Sequence, residues 1–387
     1  MIGELRLRVY SPLVIREGNN VREYLIDYIA IGKEIYVLSK DKFLRKLLEK
    51  GILDEFSQIA DKIAKATGVS EVILELKRFY EKHGFLNAEF LRDVSLYSIK
   101  TSLKLEEMKL KQIGYLVRDL NGRIYIPGSS IKGAIRTSIL YGIITSNSKN
   151  IKELRRILLT KLKQRRKLNP QKIARDIEDR FLCGMYKIRE RPIPEAQRDL
   201  LRGLIVSDGK SLPENSASVI MIKLLEDSEE RDLTLVEAIN PGIESIHEIK
   251  LDDAFLDVIA NRMKLSDRVE FLHKLPEVIN NFYLEVLKHE MNYAKKMKWS
   301  KLETFYIRLR KEIERDKDSF LIRIGWGSGW ISTTIGLILK NYLPDLMSMI
   351  RRTLKMGIQG KDFPLSRKVS HNYEPLGWCI GKITWKS

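Results

Sequence analysis

The sequence has little cysteine and no long apolar run. Its 387 residues include two cysteines, Cys183 and Cys379, which lack metal-binding spacing and need not pair. No run of eighteen apolar residues occurs, and the first residues lack the apolar core of a signal peptide. These absences argue against a disulfide scaffold and a membrane-spanning helix, and they predict a protein of the reducing cytoplasm.

Motifs for the common catalytic chemistries are also absent. The histidines form neither an HExxH motif nor another short metal-ligand pair, and the chain has no GxSxG, Cys–His or Walker motif. The sequence therefore predicts no metal and no cofactor. Metal-independent RNA cleavage needs only positioned acid–base groups, so it stays open.

What the chain has in excess is positive charge. Its 69 Lys and Arg against 51 Asp and Glu give a formal net charge of +18. This excess predicts a polyanionic partner, most simply nucleic acid, because neither end carries the basic amphipathic anchor that suits an anionic membrane. The 31% of charged residues, with few glutamines, also indicate a thermophile, in which part of the Lys and Arg content serves stability.

The hydrophobic pattern predicts a mixed α+β fold rather than regular βαβ repeats. Leu5–Val9 alternates leucine or valine with arginine, as in a half-buried strand. Two stretches, about 41–92 and 264–318, carry apolar residues at helical spacing and are predicted to be helical insertions. A proline-rich linker candidate divides the chain into two predicted domains, residues 1–190 and 191–387.

A turn followed by a helix is predicted at Ile126–Thr137. A Pro-Gly pair breaks the preceding extended run, one of two serines then caps the helix, and isoleucines four residues apart give it a buried face. Free N–H groups, hydroxyls and cations at a helix start are typical of a phosphate-binding site. The candidate contacts are Gly128, Ser129, Ser130, Lys132 and Arg136. The alternative is a capped helix with two solvated cations.

A second glycine-bearing turn lies between a predicted strand and a predicted helix. Alternate glycines let a backbone pass close to a ligand, and tryptophans can stack on unpaired bases. No Gly-Lys-Ser/Thr follows, so it is not a nucleotide P-loop, and its third glycine comes one residue too early for a dinucleotide fingerprint. The candidate RNA contacts are Gly325, Trp326, Gly327, Ser328, Gly329 and Trp330. The alternative is that both indoles fill core beside a tight turn.

Five segments, in this order, resemble those of the RAMP superfamily of CRISPR proteins. They are Ser11–Asn19 after the opening strand, the helix start Ile126–Thr137, the strand and turn Leu204–Asp208, the glycine loop Ile324–Trp330 with Ser332–Thr334, and the closing strand Pro375–Trp378. Their order, the chain length and the tryptophans of the loop most resemble the terminal RAMP subunit of type III-A (Csm) effector complexes. That subunit caps the filament at the 3′ end of the guide RNA. The resemblance covers most of the chain outside the two helical stretches.

The resemblance implies two ferredoxin-like domains of the RNA-recognition-motif type. It also implies binding of the CRISPR guide RNA in its 3′ region, docking on the backbone RAMP subunit and other Csm subunits, and a part in guide 3′-end maturation for antiviral defence. It leaves open whether a host nuclease is recruited. In the first loop it adds Arg16, Gly18 and Asn19 as candidate RNA contacts. The aspartate with which related backbone subunits cut target RNA has no counterpart, since Asp27 lies on a predicted strand, so the resemblance implies a non-catalytic subunit.

Two other functions stay open at this point. The first is a metal-independent CRISPR repeat endoribonuclease of the same superfamily, for which His83 and His247 are the available acid–base candidates. The second is a pure scaffold whose basic surface reflects thermophily. The endoribonuclease predicts specific cleavage of precursor RNA in the presence of a chelator, whereas the scaffold predicts weak affinity for free RNA.

Overall fold

A computed structural model of the chain describes residues 1–65, 68–104, 112–163, 169–183, 187–188, 191–192, 195–227, 229–263, 265–358 and 360–386. The strands are β1 (Ile2–Val9), β2 (Arg16–Arg22), β3 (Tyr28–Ile31), β4 (Glu34–Leu38), β5 (Ser95–Thr101), β6 (Ile113–Leu116), β7 (Lys187–Ile188), β8 (Arg191–Pro192), β9 (Leu204–Val206), β10 (Ala217–Glu226), β11 (Glu229–Ile239), β12 (Glu244–Leu251), β13 (Phe320–Arg323), β14 (Ser366–Ser370) and β15 (Trp378–Trp385).

The helices are α1 (Lys40–Glu49), α2 (Leu53–Lys65), α3 (Val69–Lys82), α4 (Ala88–Val94), α5 (Gly128–Thr145), α6 (Ser148–Lys163), α7 (Pro170–Leu182), α8 (Glu195–Arg198), α9 (Asp253–Met263), α10 (Ser266–His273), α11 (Leu275–Lys296), α12 (Ser300–Arg315), α13 (Trp330–Thr333), α14 (Gly336–Tyr342) and α15 (Pro344–Leu354). Within the described ranges, none of them combines the length and the apolar character that crossing a membrane requires.

The first sheet places the N-terminal strand at its centre. Its order is β13-β15-β1-β12-β9, and every neighbouring pair is antiparallel. Leu5, Leu7 and Val9 are fully buried, whereas Arg6 between them is exposed. The alternation in the sequence therefore predicted β1 correctly, because only one face of this strand packs on the core.

The second sheet has the order β2-β6-β11-β10-β5-β4-β3, and β14 also pairs with β10. Two of its pairings are parallel, β10 with β5 and β11 with β6. Both sheets thus combine strands from before and after residue 190. The fold is mixed α+β as predicted, whereas the boundary between 1–190 and 191–387 stays a prediction.

Helices occupy both stretches that were predicted to be helical. Helices α1–α4 enclose a core of their own with β3 and β4, which includes Tyr36, Phe43 and Phe79. Helices α10–α12 pack elsewhere, and α11 lies against β13 and α5. The second insertion therefore covers the first sheet, beside the two glycine-bearing segments.

The segment around Gly18 differs from its sequence prediction. It was expected to be a loop, but β2 runs through it and pairs with β6 at the edge of the second sheet. The pairing register shifts between Arg16 and Val21, and Gly18 has a φ of +63°. An interrupted edge strand with a left-handed glycine has the sequence pattern of a loop, which explains the error.

Candidate nucleic-acid interface

Three connecting segments leave the first sheet at the same edge. Strands β1, β9 and β13 each pair antiparallel with β12 or β15, so all three run in the same direction and end at one edge. Residues 10–15, 207–212 and 325–329 follow these three ends, and we call them together the loop edge. One strand separates each segment from the next, which spaces them about 10 Å apart. The fold therefore brings the glycine loop to the same side of the sheet as the segment that follows β9.

The start of α5 packs directly on the end of β9. The Gly128 N–H donates to Oδ1 of Asp208 at 2.8 Å. A Cβ at Gly128 would overlap the carbonyl oxygens of Val206 and Ser207, so only glycine fits this approach. The prediction that a serine caps the helix is wrong: Gly128 is already helical and Pro127 is the N-cap, which places Ser129 and Ser130 inside the first turn.

The two predicted cations of α5 have different surroundings. Arg136 forms ion pairs of 2.7 Å with Glu178 and with Asp199, and so ties α5 to α7 and to the segment before β9. Half-buried Lys132 has no ion pair among the described residues. Burial lowers the pKa of the Lys132 amine, and Asp199 opposes this effect. Lys132 is therefore the cation of α5 that is available to a phosphate.

Beside Lys132, an exposed helical glycine has no packing reason to be glycine. A Cβ at Gly133 would meet no atom within 4 Å. By contrast, a Cβ at Gly142 on the same helix would lie 2.9 Å from the ring of Phe271. Glycine in a helix costs about 1 kcal/mol relative to alanine. The surface at Gly133 is therefore open to a close approach from outside the chain.

The glycine loop after β13 is built onto the segment after β1. Gly325, Gly327 and Gly329 have φ values of +81°, +85° and +85°. The main-chain N–H of Trp326 donates to the Val14 carbonyl oxygen at 2.6 Å, and a Cβ at Gly325 would overlap that same oxygen. A Cβ at Gly327 would lie 2.6 Å from Leu376 Cδ1, whereas one at Gly329 would meet nothing within 4 Å. The first two glycines thus serve internal packing, and exposed Gly329 alone faces open space.

A buried charge network supports the glycine loop from below. The Arg323 guanidinium, 3% exposed, donates to the Leu376 carbonyl oxygen at 2.9 Å. Behind it, Arg367 donates to the Glu290 carboxylate at 2.6 Å, and Tyr306 donates to the same oxygen at 3.3 Å. Burial by itself would raise the pKa of Glu290, but the guanidiniums of Arg367 and Arg323 lower it to about 2. Glu290 is therefore ionised and balances two buried cations.

The two tryptophans of the glycine loop lie in different environments. The Trp330 ring packs on Gly336 and edge-to-face on Phe363, with 5.0 Å between ring centroids. The half-buried Trp326 ring has Lys368 Nζ 4.1 Å and Arg16 Cζ 5.6 Å from its centroid. Both indoles are half-buried, but Trp330 packs against the main core whereas Trp326 lies under two cations. Stacking of either ring on a base stays a prediction.

The remaining predicted residues divide between internal and open positions. Ser328 is 2% exposed, and its hydroxyl donates to the Gly325 oxygen at 2.7 Å. Ser129 and Gly18 are exposed, and Ser130 is half-buried. The side chain of Asn19 lies outside the described part of the structure. Their RNA contacts stay predictions.

Sequence reasoning missed the contacts that two residues of this region make. Asp208, which holds the start of α5, is 80 residues away from Gly128 in the chain. Lys368 follows Arg367 on β14. Because β14 pairs with β10 as a strand, the two side chains point to opposite faces, and Arg367 is buried whereas Lys368 is half-buried. No local pattern marks either residue, because each takes its role from a contact between distant segments.

The two histidines considered as acid–base groups have structural surroundings. His247 is 1% exposed, with Nδ1 2.9 Å from the Ser207 oxygen and Nε2 3.0 Å from Ser245 Oγ. Burial lowers its pKa, so it is neutral near pH 7. His83 Nε2 lies 3.2 Å from a Glu55 carboxylate oxygen. Nor does the described part of the chain bring together three or more side chains that could hold a metal ion.

Comparison with known proteins identifies the family. The family model described as "RAMP superfamily" matches residues 6–332. The curated protein Csm5 of Methanocaldococcus jannaschii is 25% identical over 378 residues, which cover 85% of this chain and 84% of that protein. Csm5 of Streptococcus thermophilus is 27% identical over 155 residues, which cover 38% of this chain and 40% of that one.

Solved structures agree with this assignment. A chain of a Csm-crRNA-target RNA ternary complex of a type III-A CRISPR-Cas system superposes with a TM-score of 0.72 and 28% identity, and 99% of this chain and 100% of that one are covered. The crystal structure of T. onnurineus Csm5 gives a TM-score of 0.65 and 25% identity, with coverages of 97% and 99%. The chain therefore belongs to the RAMP superfamily and is homologous to Csm5 of the type III-A Csm complex over most of its length.

Proposed function

We propose that the chain is the non-catalytic RNA-binding subunit that caps the 3′ end of the guide RNA in a type III-A Csm complex. The observation that carries this proposal is the loop edge, where segments from both halves of a chain of net charge +18 meet on one side of a sheet. Homology to a chain from a Csm-crRNA-target RNA complex supports the choice of RNA over other polyanions. Single-stranded RNA suits such a surface because its backbone and its bases are both accessible.

The proposal assigns each half of the candidate interface, α5 at the end of β9 and the glycine loop after β13, a part in holding RNA. Lys132 contacts a phosphate, and the open surface of Gly133 beside it lets the RNA backbone lie against α5. Gly329 presents exposed backbone from the other half. The three-strand span between these segments fits an extended single strand better than a compact small molecule.

Three finer features belong to the same proposal. The chain docks on the backbone RAMP subunit, takes part in guide 3′-end maturation without cutting RNA itself, and contains two ferredoxin-like domains of the RNA-recognition-motif type. Homology to Csm5 over most of the chain supports all three. The surroundings of His247 and His83 support the absence of cleavage, since both rings are engaged by protein groups.

The Lys132→Gln variant tests the phosphate contact. We expect its affinity for single-stranded RNA to fall about tenfold, because a charge-assisted hydrogen bond is lost. The slope of log affinity against log salt should also decrease by about 0.7, the value for one phosphate contact on a single strand. Binding is measured by fluorescence anisotropy across a salt series.

Lys149→Gln is the matched control. Exposed Lys149 lies on α6, beyond the C-terminal end of α5, and that end is about 20 Å from Lys132 along the axis of α5. It should lower the affinity much less than Lys132→Gln. Equal affinities and equal salt slopes for the two variants would show that Lys132 does not touch phosphate.

Gly133→Ala separates folding from binding. A Cβ has open space at this helical position, so the free energy of unfolding should rise by about 0.5–1 kcal/mol. RNA affinity should fall, because the new methyl group stands where the RNA backbone approaches. Urea denaturation and anisotropy measure the two effects. If the variant is more stable and binds RNA as tightly as the wild type, α5 is not part of the RNA interface.

Reconstitution of the Csm complex with and without the chain tests the capping role. We expect guide RNAs with longer 3′ ends when the chain is left out, measured by sequencing of the bound RNA. Purified chain incubated with precursor RNA and EDTA should give no specific product. Site-specific cleavage there would instead favour the metal-independent endoribonuclease.

A further inference from the structure

The geometry around Trp326 points to a binding site for one nucleotide of the RNA, with the base on the indole and a phosphate between Arg16 and Lys368. This inference rests on the proposed function and adds to it a ligand subsite whose third member, Lys368, comes from β14. Lys368 Nζ and Arg16 Cζ lie over the Trp326 ring, 4.1 Å and 5.6 Å from its centre, so a stacking base takes the place of the Lys368 amine on the indole and moves that amine towards the phosphate. The three residues come from three distant segments, so the fold alone assembles them.

The two cations lack a counter-charge in the described part of the chain. Neither Arg16 nor Lys368 has an ion pair there, and the Arg16 guanidinium donates only to the Asn20 carbonyl oxygen, at 3.2 Å. The Arg16 Nε is buried without an acceptor. Burial lowers the pKa of Lys368, and the charge of Arg16 lowers it further. A phosphate would supply both the missing negative charge and the missing acceptors.

The aromatic platform is held rigidly. The main-chain N–H of Trp326 donates to the Val14 carbonyl oxygen, which fixes the backbone, and the indole packs on an apolar cluster that includes Val14, Ile220 and Leu376. This cluster covers one face of the second sheet, and the half-buried ring adjoins it. A fixed, partly exposed indole loses little conformational entropy when a base stacks on it.

A glycine on β6 places the arginine. A Cβ at Gly114 would lie 3.0 Å from both Cζ and Nε of Arg16, so the guanidinium lies against bare backbone. Gly114 is thus a positioning residue for Arg16. The larger side chain in Gly114→Val should move the guanidinium away from Trp326 and weaken RNA binding without removing any charge.

The test combines protein variants with a base-free nucleotide. Wild type, Trp326→Leu and Lys368→Gln are each titrated with a single-stranded RNA. They are also titrated with a series of RNAs of the same sequence, each of which carries one abasic nucleotide at a different position. Trp326→Leu should weaken binding about tenfold, as loss of one stacked base does. One abasic position should weaken the wild type by a similar factor but leave Trp326→Leu nearly unchanged, because both changes remove the same contact. Lys368→Gln should lower affinity and salt dependence at every abasic position.

Lys382→Gln serves as the charge control, since Lys382 is half-buried like Lys368 but is ion-paired with Asp318 at 3.1 Å. If the wild type binds RNA but Trp326→Leu and Lys368→Gln bind it equally well, the nucleotide site is overturned and the proposed function survives. If the wild type itself does not bind RNA, the proposed function fails first. Lys368→Gln changes only a half-buried surface side chain, so its RNA affinity tests the nucleotide site even if Trp326→Leu is poorly folded.

Discussion

Replacing Glu290 with glutamine is expected to lower the free energy of unfolding by about 3–5 kcal/mol, because a buried ion pair loses one partner. Glu290 is 3% exposed and lies against Arg367, which is 6% exposed. The amide carries no charge, so Arg367 and the nearby Arg323 remain buried without compensation. Urea denaturation at pH 7 measures the loss.

Glu285→Gln on the same helix is the control. Its carboxylate pairs with Lys288 at 3.6 Å, and the two side chains are 41% and 69% exposed, far more than those of Glu290 and Arg367. Exposed pairs contribute little, so this change should stay within about 0.5 kcal/mol. If both glutamine variants are equally stable, the network below the glycine loop does not hold the fold together.

The same carboxylate predicts a pH dependence. Its pKa falls from 4.5 in the unfolded chain to about 2 in the fold, so its contribution is complete above about pH 4.5 and is lost as the pH falls towards 2. The stability difference between wild type and Glu290→Gln should therefore be constant from pH 7 to 5 and shrink below 4.5. A difference that grows on acidification would contradict this assignment.

Gly325→Ala is expected both to destabilise the fold and to weaken RNA binding. A φ of +81° strains a residue with a Cβ, and that Cβ would overlap the Val14 oxygen, which already accepts the Trp326 N–H. Strain and overlap together should cost about 2–4 kcal/mol. Since the loop can relieve them only by moving Trp326, RNA affinity should fall by about tenfold or more. Thermal unfolding and anisotropy measure the two losses.

Gly242→Ala isolates the backbone strain from the overlap. Gly242 has a φ of +89°, but a Cβ added there would meet nothing within 4 Å, and the residue lies in a turn between β11 and β12. The substitution should cost about 1–2 kcal/mol and leave RNA affinity unchanged. Equal effects of the two alanines on RNA binding would mean that the contact with Val14 does not place the glycine loop.

Local patterns predicted the elements but not their partners. Alternation identified β1, and isoleucines four residues apart identified α5, because burial of one face imposes a period on the residues themselves. The close approach of Gly128 to the end of β9 leaves no periodic pattern in the sequence, because it involves a single residue. A Pro-Gly pair indicates a turn, but it does not show which carboxylate will accept the glycine N–H.

The charges were the least predictable feature of the candidate interface. Lys132 and Arg136 look alike in the sequence, one turn apart on the same helix. Only the fold shows that Arg136 is ion-paired with Glu178 and Asp199, which lie 42 and 63 residues further along the chain. Ion pairing depends on side chains brought together by tertiary packing, so a basic sequence indicates that some cations bind a polyanion without indicating which.

The central position of β1 in the first sheet has a consequence for biosynthesis. The main-chain N–H of Trp378 donates to Ser11 Oγ across 367 residues, and β1 gains both of its neighbours in the sheet only once β15 has been synthesised. Pairings of such long range close slowly and expose unsatisfied strand edges in the meantime. A nascent chain that ends before β15 would therefore lack a formed loop edge, and under the proposed function it would not hold RNA.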